Sequence, residues 1–221
     1  MFIDSAPEGT SIADWFKPYS GDFTFIGPMK VNVFGYGSSS GRVTIIKKGD
    51  WTVPWDISFA PAANAYIAFT NVSGNLIQAN NSGVVFAGGS GSTAIVEKNA
   101  GDWDFRGTVD LASGSSSTAE FYHRAGSMTL RNGFNIARNS SAAKAYFEIS
   151  GGAVTHTATY IQLGHYGRGT MTVKRGGSYT RIGEQDGGSI WMSMENGASG
   201  TLNVEGGRSV AGRYARNTLP W

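Results

Sequence analysis

Apolar residues alternate with polar ones in short bursts along most of the chain. Val31/Val33, Val43/Ile45, Ile57/Phe59, Val84/Phe86, Val109/Leu111, Phe134/Ile136, Phe147/Ile149, Ile161/Leu163, Met171/Val173, Ile190/Met192 and Leu202/Val204 all follow the form apolar-x-apolar. A period of two places one face of each segment inward and the other in solvent, which predicts half-buried β-strands. Between the bursts lie runs of small residues: GYGSSSG at 35–41, AGGSGS at 87–92, ASGSSS at 112–117, GHYGRG at 164–169 and NGASG at 196–200. Such runs predict tight turns. Helical repeats are excluded, because the apolar period is not 3.6 and Gly, Ser, Thr and Val are poor helix formers.

The strand pattern is itself repeated. The blocks SGDFTF, KGDWTV, SGNLI, AGDWDF, AGSMTL, GGAVTH, GGSYTR and GGRSV carry a glycine anchor at Gly21, Gly49, Gly74, Gly101, Gly126, Gly152, Gly177 and Gly207. Successive anchors are 28, 25, 27, 25, 26, 25 and 30 residues apart. Three short strands and their turns fill each interval. A unit of that size cannot bury its apolar face alone, so the copies must stack. The expectation is an all-β fold: one parallel β-helix (β-solenoid) of about eight coils of about 26 residues, about 38 Å tall at a rung spacing of ~4.8 Å. An antiparallel sandwich is the structural rival, but it gives no reason for one strand motif to recur in register.

Within each block, positions two and four after the anchor share a strand face. They read Phe23/Phe25, Trp51/Val53, Trp103/Phe105 and Met128/Leu130. The expectation is a core aromatic stack of Phe23, Trp51 and Trp103. Positions one and three read Asp22/Thr24, Asp50/Thr52, Asp102/Asp104, Ser127/Thr129 and Ser178/Thr180, an outward polar ladder.

Composition supports this reading and narrows function. Of 221 residues, 32 are glycine, and only 15% are charged, well below the usual quarter. Polarity therefore rests on Ser, Thr, Asn and Gly. The chain has no cysteine, which excludes disulfides and thiolate metal sites. No apolar run approaches transmembrane length, so membrane insertion by a helix is not expected, and the first ten residues carry neither a basic nor an apolar signal region. Eighteen basic residues against sixteen acidic ones form no continuous basic stripe, which argues against nucleic acid. The charges are unevenly placed: residues 1–110 hold seven Lys/Arg against ten Asp/Glu, and residues 111–221 hold eleven against six.

The segments GTMTVKRGGSYTRIG (169–183) and GTLNVEGGRSV (200–210) resemble the strand repeats of bacterial autotransporter passenger domains and related large surface proteins. The resemblance covers residues 41–210 and is closest over 143–210. It implies a right-handed β-helix in an extracellular or cell-surface setting, acting in adhesion, aggregation or as a stalk.

Candidate chemistry is sparse. Asp22, Asp50, Asn75 and Asp102 stand outward, one per rung, and Asp104 shares the face of Asp102. Asp50, Asp102 and Asp104 are thus candidates for a cation or glycan site, with Ca²⁺ the only cofactor in view. Asp after Gly is also ordinary turn chemistry. No Lys or Arg occupies an equivalent place in these rungs, which weakens a lyase reading. Glu184 and Asp186, further candidates for a cation or glycan, lie in an extra segment of the widest interval, and insertions in solenoids map to surface loops and often to binding faces. His123, His156 and His165 occupy different repeat positions, which argues against a shared metal site. Three Asn-x-Ser sites, at Asn71, Asn80 and Asn139, match glycosylation acceptors.

The organisation expected is an N-terminal cap segment at 1–20, with Ser11-Ile12-Ala13-Asp14 as a capping box, repeats at 21–210, and a basic tail at 211–221. The functional expectation is an extracellular structural or adhesive rod without enzymatic activity, its contact surface made of Ser, Thr and Asn ladders. Its partners would be other copies of itself, joined head to tail into filaments, or surface glycans. The alternative is a β-helix that binds or cleaves polysaccharide.

Overall fold

A computed structural model describes residues 42–157, 160–182 and 189–211 continuously, with strand segments at 2–3, 21–25, 29–30 and 34–36. The described chain is all β, and the strands form three parallel sheets of nine, eight and seven strands, here called A, B and C. Each turn visits A, then B, then C, and hydrogen-bonds to the turns before and after it. The strands Arg42–Lys47, Trp51–Val53 and Ile57–Phe59 make one such turn, and the next begins at Tyr66–Asn71. This is a parallel β-solenoid. Six complete turns run from Arg42 to Met192, with the strands before Arg42 and the strands Ser199–Glu205 and Arg208–Ala211 extending it at either end. The expected eight coils are slightly too many.

The period-two pattern is obeyed closely. Sheet A strands bury every second residue, as in Val43, Ile45 and Lys47 or Ala119, Phe121 and His123. Register keeps like positions in columns: Ile45, Phe69, Val96, Phe121, Phe147 and Met171 stand one above another. In-register stacking buries each turn against two neighbours, so the apolar columns form one continuous core.

The anchor glycines earn their place at the A-to-B turn. Gly49, Gly74, Gly101, Gly126 and Gly152 adopt φ between 70° and 87°, a left-handed conformation that disfavours a side chain. They also stack so tightly that a Cβ on Gly101 would lie 2.0 Å from the Gly74 carbonyl oxygen. In the last two turns the left-handed residue moves back by one, to Gly176 and Gly206, although Gly177 still pairs with Gly152.

Two expectations need correction. The block SGDFTF is not equivalent to KGDWTV. Its strand Gly21–Phe25 pairs with Arg42–Lys47 in sheet A, which sets Phe23 beside Ile45, and Met29–Lys30 takes the place beside Trp51. The local motif fits either sheet, and only the pairing decides. Phe23 therefore belongs to the sheet A column of Ile45 and not to the sheet B column of Trp51 and Trp103. Trp51 and Trp103 are core residues, each 1% exposed, but Leu76 stands between them in the column. They meet through Phe69 of the opposite sheet, whose ring lies edge-on to both, at 5.9 and 6.1 Å between centroids. Edge-to-face packing is the favoured geometry for such rings.

The interior also holds polar residues that alternation alone makes inward. At the end of sheet A, Lys47, Asn71, Lys98 and His123 form one buried column, continued by Ile149 and Val173. Lys47 Nζ donates to the Gly49 and Ser73 carbonyls and to Asn71 Oδ1, at 2.6, 3.1 and 2.9 Å. Asn71 Nδ2 donates to the Gly74 and Ala100 carbonyls. Lys98 Nζ donates to the Gly101 and Ala125 carbonyls at 2.7 and 2.5 Å. Lys47, Asn71 and Lys98 thus satisfy inward-facing carbonyls at the turns. Desolvation lowers both lysines to about 8, so each amine is held as an ammonium ion by carbonyl oxygens at neutral pH.

Candidate functional site

The solenoid presents three outer faces and an end, and the predicted carboxylates Asp50, Asp102 and Asp104 fall on the side of sheet B. Each Asp or Asn that follows a left-handed glycine turns its side chain along the stack. Asp50 Oδ1 accepts from the Asn75 amide at 2.7 Å, and Asn75 Oδ1 accepts from the Asp102 amide at 2.8 Å. Asp102 Oδ1 accepts from the Ser127 amide and hydroxyl at 3.1 and 2.7 Å. The ladder therefore fastens successive turns. Those two Ser127 bonds hold the Asp102 carboxyl below its ordinary pKa.

Asp104 stands apart from this ladder. It receives a two-pronged contact from Arg131 one turn on, Nε at 2.6 Å and Nη2 at 2.9 Å. Asp102 and Asp104 share one strand but engage separate partners, and Asp50 lies two rungs away, so the structure does not bring the three into one cage. Among the described residues no three His, Cys, Asp or Glu side chains come together. Glu184 and Asp186 lie outside the described residues. The cap segment lies outside them too, save Phe2–Ile3, which pairs with Thr24 and Phe25, and the basic tail lies outside them beyond Ala211.

The histidines are dispersed, as their repeat positions imply. His123 closes the polar column at the A-to-B corner. Burial, with the Lys98 charge adding to it, lowers its pKa to about 3. His156 is buried at the B-to-C corner, where its Nε2–H donates to the Asn132 carbonyl and its Nδ1 accepts from the Tyr179 hydroxyl, both at 2.9 Å. That arrangement requires the neutral ring, and burial lowers His156 to about 4. His165 sits on the C-to-A turn, stacked against Tyr166 at 4.5 Å.

The outer face of sheet A carries paired groups. The Tyr122 hydroxyl donates to Glu120 and the Tyr146 hydroxyl to Glu148, each at 2.8 Å, and Lys174 reaches Glu148 at 2.8 Å. Desolvation, with Glu120 adding to it, raises Tyr122 to about 12. Arg124 binds Glu97 at 2.8 Å. This face is a network of mutually satisfied side chains.

Two regions escape the sequence reading. On sheet C, the outward column Asp110, Asn135, Gln162 and Trp191 is continuous in register, and Tyr160 stacks on Trp191. The signal was present, since the x of each apolar-x-apolar triplet faces out, but only the apolar members draw notice. At the far end, the core columns run into solvent. The Leu163 column ends on Met192, 43% exposed, and the Val173 column on Val204, 50% exposed, whereas the residues beneath them are buried. Comparison of the chain with protein-family models, curated proteins and solved structures yields no match.

Proposed function

We propose that the chain is a non-enzymatic structural rod of the extracellular or cell-surface environment, and that it associates end to end with further copies of itself. The carrying observation is the open apolar end. Met192 and Val204 continue columns that every lower turn keeps dry, and the terminal strands of all three sheets lie there with one edge unpaired among the described residues. An exposed strand edge over exposed apolar columns is a template for one more turn. A second copy supplies such a turn by a head-to-tail contact, which propagates rather than closes. The excess of acidic residues in the first half and of basic residues in the second favours that polarity.

The carboxylates support the structural half of the reading. Asp50 and Asp102 are engaged in joining turns, and Asp104 is engaged by Arg131. The surface setting rests on the likeness of residues 143–210 to strand repeats of secreted proteins. Sedimentation velocity over a range of concentrations, at low and high salt, tests association. The expected result is a mass that grows with concentration and falls with added salt, and a Met192→Asp/Val204→Asp variant that remains monomeric. Monomers of the unaltered chain under every condition would overturn the proposal.

A further inference from the structure

We propose that the outer face of sheet C around Asn135, Tyr160, Gln162 and Trp191 is a binding site for an uncharged, β-linked oligosaccharide of the glucan type. Outward positions of a solenoid strand contribute nothing to the core, and here the column is nonetheless shielded from water. Asn135 is 0% and Gln162 2% exposed. The cover begins with a glycine: a Cβ on Gly133 would lie 2.5 Å from Tyr160 Cζ, so the missing side chain is the seat of the Tyr160 ring. Trp191, one turn on, stacks parallel to that ring at 5.6 Å with 5° between planes, and 38% of it remains exposed. The stacked pair His165/Tyr166 adjoins on the C-to-A turn, with Tyr166 43% exposed. Aromatic rings on the outside of two successive turns make a platform rather than a core.

The polar groups beside the platform are unevenly served. Asn135 Nδ2 donates to Asp110, which fixes its Oδ1 as an acceptor, and that buried oxygen has no donor among the described residues. A buried acceptor left without a donor is costly, so a ligand hydroxyl gains there once the covering Tyr160 ring turns aside. Gln162 Oε1 lies 3.4 Å from His165 Nδ1, a long contact that leaves the amide able to turn to a ligand. A pyranose with equatorial hydroxyls matches both halves. Its C–H face packs on an aromatic ring, and its hydroxyls each donate and accept. A β-linked chain presents such faces successively, at a spacing comparable to the ~4.8 Å between turns. An acidic polysaccharide fits worse, because its carboxylates would approach Asp110.

The test is isothermal titration of the full chain with cellohexaose, and with a galacturonic acid hexamer as the charged comparison. The expected result is saturable binding of cellohexaose alone. Trp191→Ala and Tyr160→Ala are expected to weaken it by about tenfold or more, while Trp55→Ala, which removes an exposed tryptophan of a lower turn, leaves it unchanged. Thermal unfolding of each variant separates lost binding from lost fold. The Met192→Asp/Val204→Asp variant is expected to bind cellohexaose normally, so failure of end association and failure of this site are distinct results. No heat with cellohexaose at millimolar concentration, or unchanged affinity in Trp191→Ala, would overturn the proposal.

Discussion

The corner column at the end of sheet A is built in two different ways within one molecule. In its lower turns it is polar, Lys47, Asn71, Lys98 and His123, and in its upper turns apolar, Ile149 and Val173. All six are buried, and all six hold the same position in register. What differs is what the adjoining turn asks of them. Where the Gly49, Ser73, Gly74, Ala100, Gly101 and Ala125 carbonyls face inward, a donor fills the corner. Ile149 precedes the unshifted Gly152 and Val173 the shifted Gly176, so an aliphatic residue fills the corner at either kind of turn. Burial alone therefore does not choose the residue.

The sharpest way to break this comparison is to place one residue type in both halves. Lys98→Met keeps the volume and adds apolar surface, yet it strands the Gly101 and Ala125 carbonyls. A loss of about 2–4 kcal/mol is expected in denaturant unfolding. Ile149→Met, a volume-conserving change in the apolar half, is expected to cost under about 1.5 kcal/mol. Equal losses would mean that the lysine only fills space.

Acid titration sharpens the same contrast. The folded-state pKa values of His123 and His156 lie near 3 and 4, below the ordinary 6.5. The unfolded chain therefore takes up protons first as pH falls, and the stability these rings contribute, intact above 6.5, is lost from 6.5 down to about 4 for His156 and about 3 for His123. His123→Asn is expected to flatten that acid limb in a series of unfolding midpoints against pH. For Lys47 and Lys98, lowered to about 8 from 10.5, the sign is the same and only the window moves: stability rises as pH climbs from about 8 to 10.5, because the unfolded chain still holds the protons.

The smallest effects belong to the outer ladder. Asp102→Asn keeps an oxygen that accepts from Ser127 and is expected to change stability by less than about 0.5 kcal/mol. Asp102→Ala removes the acceptor and is expected to cost about 1 kcal/mol. Added Ca²⁺ is expected to leave the unfolding midpoint of the unaltered chain in place. A clear calcium-dependent rise that Asp102→Asn abolishes would restore the cation reading of Asp50, Asp102 and Asp104.

Much of this architecture was legible in the chain. The two-residue period and the recurring glycine located nearly every strand, because in a solenoid the local pattern and the long-range register carry the same information. Trp51 and Trp103 were legible as core for that reason. The first copy was misassigned because Gly-Asp-aromatic is compatible with either outer sheet, and pairing partners are not written into a six-residue motif. The corner lysines were hidden by chemistry: KKG and EKNAG look like solvated turns until the alternation of Val43, Ile45 and Lys47 is followed one step further. The Asp ladder was seen, but its direction was not, since an Asp that serves the next turn and an Asp that faces solvent are identical in sequence.

Electron microscopy of the purified chain, stained from dilute and from concentrated solution at low and high salt, tests the central claim most directly. End association through the Met192 and Val204 columns predicts filaments one solenoid wide that lengthen with concentration and shorten in salt. Isolated rods of a single copy's length under all conditions would contradict it.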